Sequence, residues 1–185
     1  MNRRCLQKFQ IKDVVFLAIM SAVALATCAV MPLVISLQPL IFGISQLVTA
    51  LQIGVFFAIG LYKVRKPGSL LIMALIQLMM SPPMFLSSVL NGVLVELIVL
   101  LLFRGYEKDS AVFCAAMLHT PLSLPFNYLY NRLIKGADSP LAAVADRAPL
   151  AAVGMTLAVV AVSALGALIG IKIARELKKS GVLKK

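Results

Sequence analysis

Six long apolar stretches, separated by short polar or charged segments, dominate the pattern of residues along this chain. Within each stretch the apolar residues run continuously and do not alternate with polar ones, which is typical of membrane-spanning helices and not of barrel strands. A helix needs about 20 apolar residues to cross a bilayer. The predicted spans cover residues 13–35, 40–62, 69–84, 86–103, 111–134 and 149–171. The pattern therefore predicts an all-α membrane protein, a compact bundle of six transmembrane helices that forms a single domain over residues 1–185.

The first predicted span carries a regular strip of small residues. After Asp13 it holds no charge, and Ala18, Ala22 and Ala26 recur at a spacing of four. This spacing puts the three alanines on one face of a helix, where small side chains let another helix approach closely. The strip is therefore either a packing surface inside the chain or a docking face for another membrane protein.

Composition and charge agree with the membrane prediction and give the bundle an orientation. Apolar residues make up 61% of the 185 residues, and the mean hydropathy is +0.98. A net charge of +11 could suggest a nucleic-acid partner, but the charge collects beside the apolar stretches, mainly in residues 1–12, 63–66 and 172–185. The positive-inside bias then predicts a cytoplasmic N-terminal segment 1–12 and a cytoplasmic tail 172–185, with no nucleic-acid partner.

The sequence offers little chemistry for catalysis or metal binding. Cys5, Cys28 and Cys114 have neither metal-ligand nor paired spacing, and the chain has a single histidine, which argues against a metal site. No phosphate-binding loop is present, and no nucleophile has a base partner at motif spacing. The N-terminus could also be a signal peptide, and residues 25–28 resemble a lipoprotein cleavage box, but the spans that follow favour a retained first helix. We therefore expect no enzyme activity, no cofactor and no metal.

Polar side chains inside the later spans define a candidate pocket that opens on the outer side. Glu96 lies well inside an apolar stretch and is costly there, so it contacts either a ligand or a neighbouring helix through a structural hydrogen bond. His119 is either a ligand contact or a satisfied core histidine. Tyr128 and Tyr130 are either pocket residues or anchors at the membrane interface. The predicted substrate-binding residues are Gln77, Met84, Asn91, Glu96, His119, Asn127, Tyr128 and Tyr130.

The mixture of amide, aromatic and carboxylate side chains limits the ligands that such a pocket suits. Because no cluster of carboxylates is present, a flat polar heterocycle fits better than an inorganic ion. Gln77 and Met84 belong to a stripe with Met73 and Met80, which is either core packing or an adaptable pocket lining.

Two other spans carry residues that affect helix packing. Pro121 and Pro125 interrupt the backbone hydrogen bonds of the fifth span. One face of the sixth span carries small residues, which favour close contact with another helix. That face holds Gly154, Ala158, Gly166 and Gly170.

Several stretches carry a family resemblance. The start Phe9-x-Ile11-Lys12-Asp13, the alanine strip, the mass of 19.9 kDa and the six spans resemble the substrate-binding S components of energy-coupling factor (ECF) transporters. In the middle of the chain, four short segments are similar to the pattern of the YkoE/MptA-like S components. These segments are Arg65-Lys66-Pro67-Gly68, Ser81-Pro82, Gly92 and Glu96-Leu97.

This resemblance implies a transport subunit in the cell membrane of a prokaryote. It would capture a vitamin or related heterocycle at the outer face, with thiamine or its hydroxymethylpyrimidine precursor as the best match. The alanine strip would contact a coupling transmembrane protein, which works with two ATP-binding subunits. The alternative is a stand-alone proton-coupled secondary carrier with Glu96 or His119 as the proton site, although the sequence shows no internal repeat.

Overall fold

The computed structural model is a bundle of helices joined by short turns. It describes residues 8–28, 33–34, 36–79, 85–134, 136 and 139–183, without the side chains of residues 78–79 and 85–88. Across these residues there are seven helices and no strand: α1 (Ile11–Thr27), α2 (Ile44–Val64), α3 (Ser69–Met79), α4 (Phe85–Phe103), α5 (Asp109–Ile134), α6 (Pro140–Arg147) and α7 (Pro149–Lys179). The six longer helices correspond to the six predicted spans, so the all-α bundle is confirmed. Both α2 and α7 are long and apolar enough to cross a bilayer.

The first helix is shorter than predicted. α1 ends at Thr27 and not at residue 35, and the Cys28 N–H donates to the Leu25 carbonyl in a tighter final turn. The Thr27 hydroxyl donates to the Ala24 carbonyl at 2.8 Å, which satisfies one carbonyl of that last turn. Residues 36–40 form turns. Because the uncharged stretch continues past Thr27 to residue 35, apolar composition alone overestimates this span.

The last helix is longer than predicted, and the loop before it is partly helical. α7 continues from the apolar stretch through residues 172–179, because Ala, Arg, Glu, Leu and Lys are strong helix formers. It stops before Gly181, whose φ is +78°. In the predicted loop 135–147, Pro140 starts α6, with Leu141 buried on its inner side. Proline suits a first helical position because its missing N–H has no intrahelical partner there.

α5 remains one continuous helix although it contains two prolines. Pro121 has no N–H to donate to the carbonyl of Met117, four residues earlier. That carbonyl accepts a hydrogen bond from the Ser163 hydroxyl of α7 at 2.9 Å. The neighbouring helix therefore supplies the donor that the proline removes, as membrane helices require.

α2 lies at the centre of the bundle and packs most extensively against α7, with further contacts to α1, α3 and α5. A Cβ added at Gly166 would lie 2.5 Å from the Leu51 carbonyl oxygen, and one added at Gly170 would clash with the Val55 backbone. The predicted close contact is confirmed at these two glycines. It is wrong for Gly154, which is exposed and has no neighbour within 4 Å of an added Cβ, because the twelve residues between it and Gly166 turn it by about 120° around the helix.

Charged side chains collect at one end of the bundle, which we call the basic end. α1, α3 and α5 start there, and α2, α4 and α7 finish there. Asp109 accepts hydrogen bonds from Arg65 at 2.5 Å and from Arg175 at 2.7 Å, and Lys66 pairs with Asp13 at 2.6 Å. Burial alone would raise the pKa of Asp109, but the hydrogen bonds from Arg175 and Arg65 lower it below its usual value. These ion pairs join the end of α2 to α5 and to α1, and they join α7 to α5. The opposite end, which holds α6, is the far end.

Candidate functional site

Three of the predicted site residues meet in the middle of the bundle. The Asn91 side-chain amide donates to the His119 backbone carbonyl at 2.8 Å. His119 Nε2 lies 3.3 Å from Gln77 Oε1, and the Phe57 ring lies against the imidazole with 4.8 Å between ring centroids. Asn91 and His119 are 2% and 6% exposed. We call Gln77, Asn91, His119 and Phe57 the His119 cluster.

Close packing of α3 on α4 holds the cluster together. A Cβ added at Gly92 would lie 2.9 Å from the Cβ of Ala74, so the two backbones approach at this level. Ala74 lies three residues before Gln77, on neighbouring positions of the helix surface. The glycine therefore brings the Gln77 helix within reach of the groups around Asn91.

The cluster retains hydrogen-bonding capacity that the described residues do not use. Asn91 Oδ1 is buried and has no hydrogen-bond partner among those residues, and the same holds for Oγ1 of Thr120, the residue that follows His119 in the chain. Buried polar atoms are nearly always paired, with protein, water or ligand. These two atoms can therefore accept hydrogen bonds from a bound molecule that carries N–H or O–H groups.

Glu96 lies apart from the cluster, towards the basic end. Its carboxylate accepts a hydrogen bond from the Gly68 N–H at 2.7 Å and from the Tyr106 hydroxyl at 2.9 Å. Burial, together with the nearby Glu96 carboxylate, raises the pKa of Tyr106 well above its usual value, so Tyr106 stays protonated as a donor. Glu96 therefore caps the start of α3, a contact between elements that sequence spacing did not reveal.

The predicted residues of α5 towards the far end also lie away from the cluster. Asn127 and Tyr130 are 8 and 11 residues beyond His119, which corresponds to about 12 to 16 Å along the helix. The Tyr128 hydroxyl donates to Asp146 of α6 at 2.7 Å, and Arg132 forms an ion pair with the same carboxylate. Asn127 is buried, and its backbone carbonyl accepts a hydrogen bond from the Asn131 side chain. We call these residues the far-end group. Asp146 and Arg132 also belong to it, although they were not among the predicted site residues.

Two predictions fall partly or wholly on residues that the structure does not describe. Met84 lies outside the described residues, as does Met80 of the same stripe. Met73 is fully buried, which agrees with the packing interpretation for that position. Within the described part of the chain, no group of three or more His, Cys, Asp or Glu residues could hold a metal ion.

The alanine strip lies on the outside of the bundle. Ala22 and Ala26 are exposed and Ala18 is half-buried. The opposite face of α1 packs on α2 and α3 through Leu17, Ser21 and Ala24, which are all fully buried. Ala22 and Ala26 are therefore open at the surface of the described chain, whereas Ala18 is partly covered.

Comparisons with known proteins agree on a membrane protein with this fold. A family model described as "Hypothetical bacterial integral membrane protein (Trep_Strep)" matches residues 11–179. The chain is similar to a solved structure described as "Crystal structure of an S-component of ECF transporter". The TM-score is 0.64 at 21% identity, over 95% of this chain and 89% of the other. No curated protein gives a significant match.

Proposed function

The chain belongs to the Trep_Strep family of bacterial integral membrane proteins, and from this premise we propose that it is the substrate-binding S component of an ECF-type importer. The fold shared with a solved S component is consistent with this role. The proposal assigns binding and delivery of a small molecule to this chain and ATP hydrolysis to partner subunits. The absence of a phosphate-binding loop in the sequence fits that division.

The observation that carries the proposal is the chemistry of the exposed face of α1. A surface that contacts only lipid does not need small residues, and the outer face of α4 carries Leu94, Leu97 and Leu101. The exposed face of α1 also carries Val15 and Ile19, but towards the far end it has alanine at positions 22 and 26. Small residues let two helices approach closely in a membrane. We therefore assign this face to a coupling transmembrane protein, which would work with two ATP-binding subunits.

Charge sets the proposed orientation in the membrane. Residues 63–66 carry a net +3 and residues 172–185 a net +5, and both segments belong to the basic end. The positive-inside bias therefore assigns the basic end and both termini to the cytoplasm. The far end, with α6, would then face outward, and the ligand would enter from there to reach the His119 cluster.

The proposed ligand is a small heterocycle that donates hydrogen bonds. Asn91 Oδ1 and Thr120 Oγ1 have free acceptor capacity, and the Phe57 and His119 rings offer aromatic surfaces. An aminopyrimidine supplies both N–H donors and a flat ring. Thiamine and its hydroxymethylpyrimidine precursor are therefore the first candidates.

A ligand screen with substitutions in the cluster tests this part of the proposal. Thermal unfolding of the purified protein in detergent would be measured with thiamine, hydroxymethylpyrimidine, pyridoxine and other B vitamins, and each hit titrated. We expect Thr120→Val, which removes one of the unpaired acceptors at constant size, to weaken binding of the hit about tenfold, the cost of one hydrogen bond. Glu96→Gln should leave affinity unchanged because its oxygens already contact Gly68 and Tyr106. A larger loss of affinity in Glu96→Gln than in the other variant would contradict the assignment of the ligand to the cluster.

A second experiment tests the docking face. We expect Ala22→Trp to retain ligand binding but to lose uptake and co-purification with the ATP-binding subunits, because the indole fills the space a partner helix needs. Ala161→Trp is the matched control, since Ala161 is an exposed alanine of α7. It should retain binding, uptake and co-purification. Loss of ligand binding in a folded Ala22→Trp protein would contradict the assignment. Uptake that needs a proton gradient and no ATPase would instead identify a secondary carrier.

A further inference from the structure

A groove of about 630 Å³ lies at the basic end between the start of α5 and the end of α7. Its apolar lining is formed by Phe113, Leu168 and Ile171. The charged residues of its rim are Asp109, Lys172, Arg175, Glu176 and Lys179. This surface is separate from the His119 cluster and from α1, which packs on α2 and α3.

Charge pairing leaves the rim of the groove with a positive surplus. Asp109 is balanced by both Arg65 and Arg175, and Glu176 pairs with Lys179 at 2.7 Å. Among the described residues that line the groove, Lys172 is a cation with no ion-pair partner, and it is exposed. An anion can therefore bind at Lys172 without displacing an existing ion pair.

The groove lies where the apolar part of α7 meets its charged extension. The uncharged stretch of α7 ends at Ile171 and the first charge is Lys172. Leu168 is 55% exposed although it lies one turn inside the apolar stretch. Hydrocarbon would thus cover Leu168 and Phe113, while Lys172 reaches the headgroup region. Basic pockets between transmembrane helices at this depth suit anionic lipid headgroups.

We propose that this groove binds the headgroup of an anionic phospholipid, with the phosphate at Lys172 and an acyl chain along Phe113, Leu168 and Ile171. The apolar lining favours a lipid over a soluble anion, because a soluble anion has no acyl chain to bury against it. The positive surplus distinguishes it from a zwitterionic lipid, whose own cation would face Lys172. The bound lipid would bridge α5 and α7 beside the Asp109 ion pairs.

Native mass spectrometry of the full-length protein in detergent tests the proposal. The delipidated protein would be titrated with phosphatidylglycerol, with phosphatidylcholine of the same acyl chains, and with inorganic phosphate. Lys172→Gln is compared with Lys178→Gln, because both are exposed lysines of α7 and Lys178 does not line the groove. We expect phosphatidylglycerol to bind most tightly, and Lys172→Gln to weaken it about fivefold, as for one lysine near a charged surface.

Each result of this titration supports or overturns the proposal. A larger loss for Lys172→Gln than for Lys178→Gln supports it. Equal losses would mean that the lipid binds through the overall positive charge of the basic end and not at Lys172, which would overturn the proposal. Equal affinity for phosphatidylcholine would mean that the groove does not select for an anionic headgroup, which would also overturn it. If inorganic phosphate bound as tightly as the lipid, the groove would be a soluble-anion site. If Lys172→Gln left lipid binding intact but abolished co-purification with partner subunits, the groove would be a protein interface.

Discussion

Replacement of Glu96 tests how a buried carboxylate supports the turn between α2 and α3. The Glu96 oxygens accept hydrogen bonds from the Gly68 N–H at 2.7 Å and from the Tyr106 hydroxyl at 2.9 Å. Glu96 is 7% exposed and Tyr106 is fully buried. In Glu96→Ala both donors would lose their partner, and Tyr106 could not turn to water without leaving the core.

The magnitude follows from these two hydrogen bonds. A hydrogen bond to a charged group contributes about 1.5–3 kcal/mol, and a negative charge at the start of a helix adds about 0.3–1 kcal/mol. Because Gly68 is only half-buried and can recover a water, we expect Glu96→Ala to lower the free energy of unfolding by about 3 kcal/mol. For a chain of this length that corresponds to a fall in Tm of about 6–12 °C. Glu96→Gln keeps an acceptor for Gly68 and should cost about 1 kcal/mol.

Thermal unfolding in detergent measures this series, and ligand titration on the same samples separates stability from binding. Glu176→Ala is the control for loss of an exposed glutamate and should change the unfolding free energy by less than about 0.5 kcal/mol. Tyr106→Phe combined with Glu96→Gln completes a double-mutant cycle, in which a coupling free energy confirms the direct contact. The reasoning is refuted if Glu96→Ala unfolds like the wild type, or if it abolishes ligand binding without loss of stability.

Two further predictions concern helix packing and pH. Gly166→Ala should destabilise the protein by about 1–3 kcal/mol, because its Cβ would meet the Leu51 carbonyl at 2.5 Å. Gly154→Ala, with open space around its Cβ, should be neutral or stabilising by up to about 1 kcal/mol. Equal melting temperatures of the two variants would contradict the close contact between Gly166 and Leu51. The pKa of Asp109 is lowered in the folded state, so the ion pairs contribute their full stability above the ordinary aspartate pKa of about 3.9. Asp109→Asn should therefore melt below the wild type at pH 7 and match it only in stronger acid, and a difference that persisted there would contradict the sign.

The sequence predicted the helices well because charged and turn residues separate the apolar stretches clearly. It predicted the ends less well. The stretch after Thr27 is as apolar as the helix before it, so composition could not locate the turn at Cys28. Residues 172–179 are charged but strongly helix-forming, so a charge-based boundary ended α7 too early.

The candidate site was harder to predict because spacing along one helix does not show which helix lies opposite. Ser88, Gly92 and Glu96 are four residues apart, which places them on one face of a helix. In the structure Gly92 packs against Ala74, and Glu96 reaches the turn at Gly68. A glutamate 28 residues from its backbone partner leaves no local signal. Gln77, Asn91 and His119 come together only because α3, α4 and α5 are neighbours.

For the alanine strip too, spacing along the helix could not show which neighbour it contacts, and this contact bears on function. In a soluble helix the polar face identifies the outside, but in a membrane both the core and the lipid are apolar, so periodicity does not give a direction. α1 has small residues on both sides: Ser21 and Ala24 pack inward, while Ala22 and Ala26 face outward. The Ser21 hydroxyl, 3.4 Å from the Met73 carbonyl, is the polar contact that marks the inner side. Once that side is known, Ala22 and Ala26 lie on the surface where we propose that a partner helix binds.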